Sequence, residues 1–293
     1  MRQVAVVTDS AASLPPDLRA RYEIEVVPLN LVLENHAYPD GLDDNHHFYQ
    51  SLKSARRPPT TTSATPGTYL EAFQRAAQRA PAVLCITVST QFSATHDAAI
   101  QAAATLKEDL PDLQLEVLDS GSAAMGEGFV VLEAARAAAD GADLPAVMAR
   151  AREAIPAVGL VAVVDTLEYL ARGGRVPRIQ AWASALLSVK PIIELRQQSI
   201  HLLTRTRTKR RAVAQLIPIL EQRGYKGGRL HLCVQHTDVL DEAEQLAAEA
   251  ARRLEPGEIS VSEFTLVMGA HTGPGLLGLA YYVEPNGDRA SLS

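Results

Sequence analysis

The sequence predicts an α/β protein in two units, a parallel sheet in residues 1–156 and a mixed sheet in residues 157–293. Three observations lead there. Apolar runs of strand length alternate with longer segments of helical period. Three early strands stop near Asp9, Ser89 and Asp119 before turning into helices, as strands of parallel α/β sheets do. After residue 156 the pattern admits an antiparallel hairpin.

The elements follow in order. "QVAVVTD" reads as the first strand and "LPPDLRARY" as a short helix. "IEVVPLNLVL" is a second strand, and a helix is expected around residues 45–55. "TYLEAFQRAAQRA" has helical period, with Thr65 placed to cap it and Pro66 at its first position. "AVLCITV", "ATHDAAIQAAATLKEDL", "QLEVLDS" and "AAMGEGFVVLEAARAAADG" continue the strand–helix alternation. "DGADLPAVMARAREAIPAVG" leads into the second unit. There "LVAVVD" is a strand, "TLEYLARGG" a short helix, and "PIIEL", "QQ", "SIHLL" a hairpin. "KRRAVAQLIPILEQRGY", "RLHLCVQ", "DEAEQLAAEAARRLE" and "EISVSEFTL" complete the pattern.

Composition narrows the function classes. The chain has 293 residues, 47% hydrophobic and 21% charged, enough apolar material for one large domain or two ordinary ones. A net charge of −6 without a basic block argues against a nucleic-acid duplex or an anionic membrane as the main partner. The local cluster "RTRTKRR" reads on its own as a solvated helix start. Cys85 and Cys233 lie inside apolar runs and are expected to be buried free thiols of a reducing compartment. A signal peptide and a membrane span are both missing from the pattern, so a cytoplasmic location is expected. Phosphate-loop, dinucleotide-fingerprint, zincin and nucleophile-elbow motifs do not occur, which disfavours a self-sufficient nucleotide-using enzyme. No cofactor is expected. A metal site at "YPDGLDDNHH" is weighed on residue types, but Asp40-Gly41 reads better as a turn, Asp43 as a cap, and His46 and His47 as structural.

The remaining signals are loops rich in hydroxyls and glycine. At the tip of the first strand, Thr8, Asp9 and Ser10 stand either as ligand donors or, for Asp9 and Ser10, as caps of the next helix. "PPTTTSATPGTY" offers Thr62 and Ser63 beside a helix start, where neutral donors and the helix dipole suit a carboxylate or phosphate. "VSTQFSATHDAA" repeats the idea with Ser89, Ser93 and Thr95, so that two loops can converge on one anion. "LEYLARGGRV" reads as a helix stop at Gly173 and Gly174 that exposes Arg172 and Arg175. "MGAHTGPGLLGLAYY" places His271 in a Gly-rich loop where backbone can approach a ligand closely.

Taken in order, "VTDSAASLP", "VPLNLVLENHAYPDG", "TTTSATPG", "STQFSAT", "VLDSGSAAMGEG", "LEYLARGGRV", "LLSVKPII", "RTRTKRRA" and "AHTGPG" resemble the DegV family along nearly the whole chain. That family includes the fatty-acid-binding subunits of bacterial fatty acid kinase. The resemblance implies two α/β domains holding a long-chain fatty acid between them. Its carboxylate would be bound by Thr62, Ser63, Ser93 and His271, and a separate ATP-binding kinase subunit would convert it to the acyl phosphate, as a step in phospholipid metabolism. Arg172, Arg175 and Arg205 would lie where that subunit docks or help to stabilise charge. The chain departs from the family pattern in two loops. The Thr62-Ser63-Ala64-Thr65-Pro66 segment is one residue shorter before its helix, and Ala94 and His96 replace a glycine and a frequent tyrosine.

Independently of the family, neutral hydroxyl loops with an aromatic content of only 5% suit a carboxylate on an aliphatic tail. Two rival readings stand beside the carrier. One is an acyl hydrolase or transferase with Ser93 as nucleophile, His271 as base and Asp9 as orienting acid. The other is a carrier of a small phosphorylated or keto sugar, suggested by the family's fold relation to dihydroxyacetone kinases.

Overall fold

The computed structural model describes residues 2–33, 36–41, 48, 49, 52, 59–175, 179 and 189–285. The helix expected around 45–55 and the positions Asp43, His46 and His47 lie largely or wholly outside these residues; Phe48, Tyr49 and Leu52 are helical and buried.

A four-stranded parallel sheet has the order β2-β1-β6-β7, from Glu25–Val27, Val4–Asp9, Ala82–Thr87 and Gln114–Asp119. Strands β1 and β6 are buried along their whole length, which is why they are continuous apolar runs without polar alternation. Helices α1 (Pro16–Arg21), α2 (Pro66–Ala77), α3 (Thr95–Asp109) and α4 (Met125–Ala139) follow in chain order. Thr65 caps α2 as the sequence predicts, its side chain accepting from Thr68 N, with Pro66 opening the helix. Helix α4 is buried nearly all round because both sheets pack on it.

Helix α5 (Leu144–Ala154), capped by Asp143, delivers the chain to a mixed six-stranded sheet of order β10-β9-β8-β13-β11-β12. Its strands are β8 (Val158–Val163), β9 (Lys190–Arg196), β10 (Ser199–Thr206), β11 (Leu230–His236), β12 (Glu258–Glu263) and β13 (Leu277–Val283). Only β11 and β12 pair in parallel; the other neighbours are antiparallel. The expected hairpin is β9–β10, turned by Gln197 and Gln198, both at positive φ. Helices α6 (Glu168–Gly173), α7 (Lys209–Gln222), α8 (Leu240–Leu254) and α9 (Leu266–Thr272) belong to this part, and Ile179 is helical and buried.

The segment read from sequence as one strand, "IEVVPLNLVL", is divided. Its start is β2 of the parallel sheet, while β3 (Asn30–Leu33) turns away to pair antiparallel with β4 (His36–Pro39) and β5 (Thr60–Thr62). The Thr-rich stretch expected as a loop is therefore the edge of a third sheet. Cys85 and Cys233 are both buried free thiols, and burial pushes the Cys233 thiol up to about 12. No helix among the described residues is long and apolar enough to cross a membrane.

Candidate functional site

A cavity of about 970 Å³ lies between the parallel and mixed sheets, within the size range of small-molecule sites. Its walls come from both halves of the chain. Leu29 and Val88 face it from the first, Leu160, Ile193 and Leu195 from β8 and β9, and Phe264 from the approach to α9. The register Leu160↔Leu195 and Ala162↔Ile193 places these side chains in two successive layers on one face of the mixed sheet.

At one end the walls become polar. Strand β5 and the loop into α2 bring Ser63 to the loop between β6 and α3, where Ser63 Oγ and Ser93 Oγ are 3.2 Å apart. Ser93 Oγ is in turn 2.7 Å from Thr95 Oγ1 and accepts from Thr95 N at 3.2 Å. The loop can present Ser93 this way because it makes one tight turn, Phe92 N and Ser93 N both donating to Ser89 O. Ala94, expected from the resemblance to stand in place of a glycine, sits at φ −83°, ψ 12°, a negative-φ conformation that does not require glycine. His96 meets Thr87 Oγ1 through Nδ1 at 3.1 Å.

His271 approaches the same end from α9, its Nε2 2.8 Å from Thr61 Oγ1. It lies in the last helical turn rather than in a loop, and Gly273 caps that helix. A Cβ at Gly173 would lie 2.5 Å from His271 Nδ1, so the Gly173-Gly174 end of α6 is what lets the ring sit there. Burial and the neighbouring Arg175 guanidinium push the imidazole down to about 4, so at neutral pH it is an uncharged donor or acceptor.

Of the expected carboxylate set, Ser63, Ser93 and His271 line the cavity together, and Thr62 is also on its wall. Thr61, absent from that set, makes the contact with His271. Arg175 is at the rim, its Nη1 donating to Gly173 O at 2.8 Å. Arg172 pairs with Glu168 on α6, and Arg205 is exposed on β10 opposite Pro191.

Thr8, Asp9 and Ser10 have structural tasks, and Asp9 caps the short helix Ser10–Ala12, as one of its two expected readings had it. All are buried. Asp9 accepts Ala11 N at 3.0 Å and Val88 N at 2.9 Å, tying β1 to the segment after β6. Ser10 Oγ donates to Asp40 Oδ2 at 2.6 Å, and Asp40 also accepts Val267 N at 3.1 Å, joining the first strand to α9. Thr8 Oγ1 donates to Glu127 Oε1. Burial raises the Asp9 carboxyl to about 7 and pushes Glu127 and Asp40 upward as well. Asp40 and Gly41 form the expected turn, and among the described residues no cluster of three His, Cys, Asp or Glu side chains could hold a metal. A Ser93–His271–Asp9 relay is not assembled among the described residues: Ser93 is joined to Ser63 and Thr95, His271 to Thr61, and Asp9 to backbone amides.

Two sheets enclosing an apolar cavity, with a neutral hydroxyl–imidazole cluster at one end, define a small-molecule-binding α/β protein. The chain belongs to the DegV family: a family model described as "Uncharacterised protein, DegV family" matches residues 3–284. A DegV domain-containing protein of Streptomyces coelicolor is 36% identical over 281 residues, 95% of this chain and 98% of the relative. Among solved structures, a DegV family protein from Thermus thermophilus described for its fatty acid binding aligns with a TM-score of 0.87 at 29% identity, covering 97% of this chain and 100% of that one. DegV from Bacillus subtilis, described as a fatty acid binding protein, aligns with a TM-score of 0.84 at 27% identity over 97% and 100% of the two chains.

Proposed function

We propose that this protein binds a long-chain fatty acid, without catalysing a reaction itself, and presents the carboxylate to a separate ATP-dependent kinase subunit for acyl-phosphate formation in the cytoplasm. Residues 1–156 and 157–293 act as two units that hold the ligand between them. The observation that carries the reading is the joining of an apolar cavity to a cluster of neutral donors, Thr61, Ser63, Ser93 and His271, with Thr62 beside them. Tail burial contributes about 0.8 kcal/mol per methylene. Hydroxyls and an uncharged imidazole orient the head group without fixing it in a permanent ion pair, so the carboxylate stays available as a nucleophile toward a phosphoryl group. The fatty-acid-binding relatives of the same fold support the ligand class. The missing phosphate-loop motif is consistent with ATP being held by another polypeptide. The exposed arginines Arg172, Arg175 and Arg205 provide that partner with positive charge. Native mass spectrometry of the purified protein, then denaturing extraction, tests the core of the proposal. One long-chain fatty acid per chain is expected; a protein that carries no lipid and binds neither palmitate nor oleate would refute it.

A further inference from the structure

His271 stands in the last turn of α9, and the short connection Gly273–Leu276 leads from the end of that helix into β13. One residue holds this connection. Thr237 follows β11, is fully buried, and meets the connection through backbone and side chain alike. Its hydroxyl donates to Gly273 O at 2.7 Å and accepts Leu276 N at 2.8 Å, so both roles of the group are used. Its amide donates to Leu276 O at 3.1 Å, and its carbonyl accepts Gly275 N at 2.9 Å. Pro274 has no amide hydrogen and Gly273 N donates to Gly269 O at 2.7 Å, so every amide hydrogen of the connection has a partner. On its other side Gly273, at φ +75°, packs on Tyr169 of α6, whose ring occupies the space a Cβ would need. The start of α9 is pinned separately, Val267 N donating to Asp40 Oδ1 at 3.1 Å.

We propose that Thr237 is a positioning residue for His271: from outside the cavity it clamps the end of α9, and so fixes the imidazole against Thr61 and the Leu276 side chain in the cavity wall. The proposal rests on His271 acting at the bound carboxylate. Helix α9 has only 7 residues, too few to keep a direction by its own hydrogen bonds, so its orientation is set by what holds its two ends. Those holds are Asp40 and Thr237. His271 and Leu276 line the cavity, whereas Thr237 does not. Without the Thr237 hydroxyl, Gly273 O and Leu276 N lose their partners at buried residues, a cost the connection relieves by shifting. Such a shift moves the helix end and with it the 2.8 Å contact between His271 and Thr61. A displacement of about 1 Å matters for a group that must meet charge developing in a transition state. Burial of an acyl tail, spread over many apolar walls, depends on it far less.

Thr237→Val keeps the branched shape and removes the hydroxyl, while Thr237→Ser keeps the hydroxyl. In the delipidated protein, NMR titration of the His271 imidazole reads its surroundings directly. Burial and Arg175 hold it down at about 4; in Thr237→Val it should rise by about one pH unit or more as the ring gains solvent, and in Thr237→Ser it should stay at the wild-type value. With palmitate, a cognate kinase and ATP, Thr237→Val should lower acyl-phosphate formation at saturating carrier roughly 10- to 100-fold, while palmitate affinity by calorimetry stays within about threefold and Thr237→Ser recovers most of the rate. If Thr237→Val does not fold, Thr237→Cys, whose thiol donates and accepts only weakly, takes its place. A threonine that merely stabilised the fold would lower Tm on substitution and leave the imidazole titration where it is. An unmoved His271 titration in Thr237→Val, or a Thr237→Ser protein as impaired as Thr237→Val, would therefore overturn the inference and leave lipid binding standing. Wild-type protein that binds palmitate but yields no acyl phosphate would instead overturn the kinase reading, with the titration still deciding on Thr237. Wild-type protein that binds no fatty acid would overturn the carrier reading itself.

Discussion

Ser93→Ala removes the middle hydroxyl of a chain that runs from Ser63 Oγ at 3.2 Å to Thr95 Oγ1 at 2.7 Å. Two separable effects follow. A hydrogen bond to a carboxylate contributes about 1.5–3 kcal/mol, so palmitate affinity should fall roughly 10- to 150-fold. The second loss is the hydrogen bond from Thr95 N to Ser93 Oγ at 3.2 Å, just ahead of α3, which contributes about 1 kcal/mol of stability. For a chain of this length that is a shift of only a few degrees in Tm. Titration calorimetry with palmitate reads the first effect and thermal unfolding of the delipidated protein the second. Ser63→Ala alone and with Ser93→Ala completes the cycle; because the two hydroxyls touch, the double variant should lose less affinity than the two single losses added together. An unchanged Kd with the small Tm decrease still present would show that Ser93 only holds its turn together, and that the carboxylate sits elsewhere.

Thr61→Ala should lower acyl-phosphate formation by a cognate kinase with ATP more than Thr62→Ala, because Thr61 holds His271 at 2.8 Å; equal losses, or the reverse order, would refute that ranking. With a cognate kinase and ATP, His271→Ala should retain most lipid affinity yet lower acyl-phosphate formation at saturating carrier, since an uncharged imidazole contributes most where charge develops in the transition state. Charge removal at Arg172, Arg175 and Arg205 should instead raise the carrier concentration needed for half-maximal rate, more strongly at low salt; lipid loss without a coupling defect would contradict this division of roles. The Asp9 carboxyl, lifted by burial from 3.8 to about 7, keeps its proton in the folded chain where the unfolded chain has lost it, so its contribution to stability is full below about pH 4 and disappears as the pH rises to about 7. Relative to Asp9→Asn, wild-type stability should therefore fall across that window at roughly 1.4 kcal/mol per pH unit, about 4 kcal/mol in all, and parallel urea-denaturation profiles of the two proteins would refute the assignment.

The parallel sheet was legible because β1 and β6 are apolar runs bounded by helical segments, a local signal. The hairpin was legible for the same reason, from two strands around Gln197 and Gln198. The third sheet was not. Strand β5 is Thr60, Thr61 and Thr62, and what makes it a strand is pairing with Asn30, Leu31 and Val32 about thirty residues away. That same pairing decides which threonine meets His271. The family motif pointed to Thr62, whereas alternation along β5 turns the neighbouring Thr61 toward α9. His271 looked like a loop residue because glycines stand on both sides of it; Gly269 is inside α9, where a Cβ would meet the ring of Tyr49, and Gly273 is its cap. Thr8, Asp9 and Ser10 offered two readings from sequence, and only their burial shows that they bind the protein to itself rather than to a ligand.

The bond from Val267 N to Asp40 Oδ1 spans 227 residues. During synthesis at about 5–20 residues per second, roughly 10 to 45 s separate the appearance of the carboxylate from the appearance of its amide partner. Ser13 O waits for Ser262 Oγ across an even longer interval of 249 residues. A nascent chain ending before α9 therefore carries an acidic group whose burial site does not yet exist, and its first half cannot close completely on the ribosome. Helix α9, the last among the described residues, supplies both His271 and the amide that locks the first strand's neighbourhood, so maturation of the binding end and completion of the N-terminal half become one late event.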